Sequence, residues 1–272
     1  MIRNAIVSKA SELNIAISSL LAYEAICCCI NIASKEFANH ILVANASRIV
    51  LSEKKVVGVD FVADEVVTME KLKTTLINAL IEEGCSVSTD LRSNVLVIGT
   101  YLGDIYADIT VRVIRQDISQ LSYKDITFND ALYNDKRVGI GEYPAESQLA
   151  LHMYEIFNKM ELINDMSHYY GAYQILEAVA VNGRKYAEAL QERMTGSFTI
   201  DNSRVETLYS YRDYKFMNKK WNAFLRQKKM SNIDFSDIID CLCEFNRPII
   251  NSMEKEEVFL GDWMPQLKRF LD

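Results

Sequence analysis

Asp60 and Asp108 are the residues whose types and settings could do metal chemistry. Asp60 lies in Val56-Val57-Gly58-Val59-Asp60-Phe61 and Asp108 in Ile105-Tyr106-Ala107-Asp108-Ile109-Thr110. Each run is short and rich in β-branched or aromatic residues, the pattern of a strand. Acidic residues are disfavoured inside strands, so two of them there invite a reason. A divalent-ion site is one, because a hard cation such as Mg²⁺ takes carboxylate oxygens held on a rigid frame. The other is that each Asp lies on a solvent face or at a strand end. Spacing alone leaves both open.

The elements that would position these residues fall into two halves. Residues 4 to 36 carry apolar side chains at helical spacing, with Asn14 dividing them into two helices. Ile41 to Ala44 is a first strand, Ser47 to Leu51 a short helix, and Val56 to Val62 a second strand. Thr68 to Glu83 reads as a helix with Thr68 at the N-cap and Gly84 past its end. Cys85–Leu91, Val95–Leu102 and Tyr106–Ile114 read as strands, the last two joined by a turn at Gly103-Asp104. After Tyr143-Pro144 the β signal fades. Helices are expected over 145–160, 165–181, 183–194, 212–229, 234–246 and 255–271, with a polar loop over 195–210. The fold class is therefore α/β (α+β): a mixed sheet with N-terminal helices in residues 1–144, followed by a helical domain in 145–272.

Composition narrows the function. The chain has 272 residues, 49% hydrophobic and 25% charged, which suits a globular protein with a substantial core. Its net charge of −7 argues against a broad nucleic-acid surface, though not against a local patch. One basic run, Lys219, Lys220, Arg226, Lys228 and Lys229, has Trp221 and Phe224 interleaved. It either meets RNA or an acidic partner or is a solvated face with its aromatics in the core. Cys27, Cys28, Cys29, Cys85, Cys241 and Cys243 form no C-x-x-C pair; they read as small buried side chains in a reducing cytoplasm. The apolar stretch Ile15 to Ile32 contains Ser18, Ser19, Glu24 and Asn31 and reads as a core helix, not a membrane span. Met1 to Leu13 is too polar for a signal peptide.

The order of features resembles the abortive-infection nucleotidyltransferase toxins of bacteria, of the AbiEii/AbiGii type. The resemblance covers most of the chain. Ile41-Leu42-Val43-Ala44-Asn45-Ala46-Ser47 falls where that family has an apolar strand and a Gly-Gly turn. Val57-Gly58-Val59-Asp60-Phe61 falls at its Asp-x-Asp pair, and Ile105 to Thr110 at its third-carboxylate strand. Tyr143-Pro144-Ala145-Glu146 and Leu149 to Met153 fall at its Tyr-x-x-Glu and Ala-Glu-Lys-Leu. Met166 to Tyr173 falls at its Lys-Asp-x-Tyr-Asp, while Lys220 to Phe224 and Phe245 to Pro248 resemble its C-terminal bundle.

The resemblance implies transfer of a nucleoside monophosphate from an NTP to an RNA (tRNA) or protein acceptor, with Mg²⁺ or Mn²⁺, and a cognate antitoxin as partner. It implies Asp60 and Asp108 as catalytic metal ligands, and Asn45 and Ser47 at the nucleotide. Glu146, His152, Ser167 and His168 become cleft candidates. Much of the family's machinery is missing here. Gly-Gly is Asn45-Ala46, the first Asp of the pair is Gly58, and the Lys and further acidic positions carry His152, Ser167, His168 and Gly171. Weak metal binding and weakened or lost catalysis are expected. The alternatives are a non-catalytic binding or scaffold protein in phage defence, or an unrelated α/β domain.

Overall fold

In the computed structural model the chain divides into two compact units, Met1–Pro144 and Ala145–Asp272. The structure describes residues 1–46, 49, 51, 58–119, 121, 123–129, 131–132, 137–194, 198–228 and 233–271. Ser47, the short helix expected over Ser47 to Leu51, Val56, Val57 and Lys229 rest on residues outside that set.

The first unit opens with α1 (Arg3–Glu12) and α2 (Ile17–Glu36), parted at Asn14, whose φ of 53° is left-handed. Asn tolerates that region better than most residues, so the chain can turn there. Buried residues ring α2 almost completely, from Ser19 to Ala33, and it packs against the sheet and α3 (Met69–Glu82). It is long and apolar enough to cross a membrane, but 67% of its most apolar window is buried inside the protein. Its one buried acid, Glu24, accepts the Ala131 N–H at 3.0 Å, and Tyr23 donates to the Asn129 carbonyl at 2.8 Å. Thr68 caps α3 by accepting the Lys71 N–H at 3.2 Å.

The strands are β1 (Ile41–Ala44), β2 (Gly58–Ala63), β3 (Ser86–Arg92), β4 (Val95–Leu102), β5 (Ile105–Arg115), β6 (Lys124–Asn129) and β7 (Arg137–Glu142). They form one seven-stranded mixed sheet in the order β3-β4-β5-β2-β1-β7-β6. The β2–β5 and β1–β7 pairs are parallel; the others are antiparallel. Val59, Phe61, Ile98, Ile109 and Val111 on one face join the core with α2. Because successive side chains alternate, Gly58, Asp60, Asp108, Thr110 and Arg112 share the opposite face. Strands β6 and β7 are absent from the sequence reading: Gly139 and Gly141 break the β-branched pattern of β7, and β6 is mostly exposed.

The second unit contains α4 (Ala145–Lys159), α5 (Ser167–Ala178), α6 (Gly183–Arg193), α7 (Asn202–Ser210), α8 (Lys215–Lys228) and α9 (Phe235–Glu254). Three expectations are corrected. The polar loop expected over 195–210 contains α7, which starts because Asp201 accepts the Arg204 N–H at 3.1 Å and which buries Val205 and Leu208. Helix α9 does not stop before Pro248 but runs through it. The carbonyl freed four residues back belongs to Glu244, which is exposed and can be solvated, while Ile249 and Ile250 beyond the proline are fully buried.

The helix expected over 255–271 is instead a small sheet, β8 (Val181–Asn182), β9 (Asp262–Met264) and β10 (Arg269–Leu271), in the order β10-β9-β8. Glu256 and Lys268 take left-handed φ of 59° and 49°, and Trp263 opposes Phe270 across β9 and β10. Their rings, 5.4 Å apart, meet edge to face, and both contact Phe245 in the helical core. Of the aromatics in the basic run on α8, Trp221 is buried with its indole N–H donated to the Ile233 carbonyl at 2.7 Å, and Phe224 is in the core. Lys220 donates to the carbonyls of Glu161 and Ile163, both at 2.8 Å.

Candidate functional site

In the first unit β1 ends at Ala44, and Asn45 follows with φ of 55°. That is the left-handed turn a glycine would supply, and Asn is among the few other residues that adopt it readily. The turn aims the Asn45 amide at β2, where its Nδ2 donates to Asp60 Oδ2 at 3.2 Å. Ala46, at the second glycine position of the resembled turn, is 8% exposed and packed in the core. Its methyl group is therefore directed inward.

Asp60 is paired in register with Ala44 on one side and Arg112 on the other. Register partners share a face, and Arg112 Nε stands 3.8 Å from Asp60 Oδ1. The two oxygens of Asp60 thus face a guanidinium and an amide. Arg112 is not anticipated by the sequence reading; only the strand register reveals it.

Asp108 is on the neighbouring strand and on the same face, but four residues before Arg112. At about 3.3 Å per residue, that offsets its Cα from Asp60 by ~13 Å along the strands. Carboxylates clamping a metal pair about 4 Å apart lie much closer than that. Asp108 stands opposite Gly99, and Tyr106, two residues before it, lies over Gly99.

Gly58, where the Asp-x-Asp pattern wants its first acid, has no room for one. A Cβ built there would lie 1.9 Å from the backbone oxygen of Thr110. The glycine permits a close approach of β2 to β5, so restoring an Asp at 58 would disrupt the sheet instead of completing a site. Among the described residues no group of three or more His, Cys, Asp or Glu side chains could hold a metal ion. The donor set around Asp60, one carboxylate beside a guanidinium and an amide, does not fit a divalent ion.

The remaining candidates belong to the second unit. Glu146, at the start of α4, accepts the Asn182 N–H at 3.1 Å and so anchors the turn into α6. Ser167 opens α5, its N–H donated to Asp165 at 2.9 Å. His152 on α4 and His168 on α5 do come together: their Nδ1 atoms are 3.2 Å apart and their rings meet edge to face at 73°. Gly171, one turn along α5, makes the space. A Cβ there would be 2.5 Å from His152 Nε2. The sequence signal for this contact was a glycine three residues after a histidine, which spacing alone does not distinguish from any helical glycine.

Burial pushes the thiols of Cys28, Cys241 and Cys243 up to about 12, and those of Cys29 and Cys85 also upward.

No family model and no curated protein matches the chain. Among solved structures it is similar to one described as an antigenic nucleotidyltransferase-like protein from Paracoccidioides brasiliensis. The identity is 9%, with a TM-score of 0.35, covering 80% of this chain and 92% of that one.

Proposed function

We propose that this is a nucleotidyltransferase-fold protein of the abortive-infection type whose transfer chemistry is weakened or lost, acting in the cytoplasm through binding. The observation that carries the reading is Arg112 beside Asp60. Where a second carboxylate would complete an ion site, the chain places a guanidinium, 3.8 Å from Asp60 Oδ1. Asn45 takes a left-handed φ of 55°, as a glycine would, and its side chain donates to Asp60. Asp60, Asn45 and Arg112 are then a preformed polar surface for a nucleotide or a partner protein. A cognate antitoxin and an RNA or protein acceptor are the partners this reading implies.

The test incubates the full chain with each labelled NTP, Mg²⁺ or Mn²⁺, and total RNA or cell lysate as acceptor, beside an Arg112→Asp variant. Transfer by the parent is expected to be slow or absent. Arg112→Asp places a carboxylate opposite Asp60, so Mn²⁺ measured by calorimetry should bind the variant more tightly than the parent. Brisk transfer by the parent, abolished by Asp60→Ala, would show an intact enzyme. No gain of Mn²⁺ affinity in the variant would remove Asp60 as the remnant of an ion site.

A further inference from the structure

The meeting of His152 and His168 is not used by that reading, and it has the geometry of a ligand pair. Helix α4 carries His152 on the side that faces α5, and α5 begins one residue before His168. Gly171 lets the His152 ring lie against the α5 backbone with its Nε2 edge, which turns Nδ1 toward His168. The two Nδ1 atoms are 3.2 Å apart. A tetrahedral ion with Zn–N bonds of about 2.0–2.1 Å holds two imidazole nitrogens ~3.3 Å apart. The pair is therefore spaced for one ion with almost no rearrangement of the backbone.

We propose that His152 and His168 form a two-histidine site for a late first-row divalent ion such as Zn²⁺, bound through both Nδ1 atoms and completed by water. Imidazole nitrogens suit Zn²⁺, Ni²⁺ and Cu²⁺, whereas Mg²⁺ prefers oxygen. The pair uses no residue of the Asp60 group and does not depend on nucleotide chemistry. Both lone pairs must be directed at the ion, so each ring carries its proton on Nε2, and acid displaces the ion as the rings protonate. Cysteines are the usual competitors for Zn²⁺, but here burial keeps the thiols of Cys28, Cys241 and Cys243 protonated at neutral pH, with values of about 12. The one other histidine, His40, pairs through Nδ1 with Asp64 at 2.6 Å and is the control.

The experiment titrates Zn²⁺ into the metal-stripped full chain at pH 7.5 by calorimetry, with Co²⁺ absorption as a report on nitrogen donors. One ion per chain is expected. Either His152→Ala or His168→Ala should abolish it while circular dichroism stays native; His40→Ala should leave it intact. Should an alanine variant fail to fold, His168→Gln keeps the volume and a hydrogen-bonding group but supplies no imidazole, and serves in its place. Zn²⁺ binding that survives loss of either ring, that disappears with His40, or that is absent from the parent would overturn the site.

Discussion

Two polar constellations in this chain each rest on a glycine, and the two glycines work differently. In the first unit Gly58 lies two residues before Asp60 on the same face of β2, and its missing Cβ is what allows the Thr110 carbonyl to approach. Backbone meets backbone there, and neither can yield. In the second unit Gly171 admits the end of the His152 ring, a side chain that can swing away. The sheet thus fixes Asp60 and Asp108 at separations set by register, and no side-chain motion brings them together. The helix pair fixes its histidines through one replaceable contact.

The largest effect should come from breaking the rigid member of this comparison. Gly58→Ala drives a methyl group into the Thr110 backbone and should cost about 3 kcal/mol or more, because overpacking that only a backbone shift can relieve is the expensive kind. Urea denaturation monitored on the full chain should show a lowered midpoint. A midpoint within error of the parent would mean that β2 and β5 have slack, and that Asp60 is held less firmly than its register implies.

Gly171→Ala should behave oppositely. Alanine gains roughly 1 kcal/mol of helix propensity over glycine, offsetting part of the cost of displacing the His152 ring. Stability should change by no more than about 1 kcal/mol, while the ring contact is lost and the imidazole C–H signals of both histidines move in the NMR spectrum. A large destabilisation with unmoved histidine signals would reverse the contrast between the two glycines.

A comparably small effect tests a polar contact outside both constellations. Asp201 accepts from the Ser203 hydroxyl at 2.6 Å and caps α7, and the Ser203 hydrogen bond foremost holds its carboxyl below the usual range. A depressed carboxylate contributes stability above its unfolded value of about 3.9, and that contribution is lost as pH falls through the lower folded value. Asp201→Ala should therefore cost about 1 kcal/mol at pH 7 and progressively less below pH ~4. A cost independent of pH across that window would mean that the carboxylate is not what caps the helix.

What could be read from the residues follows the same division. The Thr68 cap, the Gly103-Asp104 turn and the 3.6-residue spacing of α1 to α6 are local, and local signals place elements well. Pro248 and the stretch from Lys255 to Leu271 misled because their outcome is tertiary: Ile249 and Ile250 hold a helix together across a proline, and Trp263 and Phe270 find each other across a turn. Asp60 and Asp108 stand out as acids on strands, but nothing local says that the residue opposite Asp60 is Arg112. Register is a pairing between distant segments, and it alone turned a presumed carboxylate cluster into an ion pair. Gly171 was visible only as an absence of charge; its use as a seat for His152 needs the neighbouring helix.

The three consecutive cysteines of α2 carry one more consequence. Cys27 and Cys29 are 2% and 0% exposed, and the half-buried Cys28 is pushed up to about 12. At pH 8 a thiol of that acidity is ionised in only about one molecule in ten thousand. Oxidants and alkylating agents act on the thiolate, so a helix that looks like the most redox-sensitive stretch of the chain is slow to respond to either while the fold is intact. The same residues become reporters of unfolding: thiol labelling should be negligible in the native protein and should track the fraction of chains in which α2 has left its core.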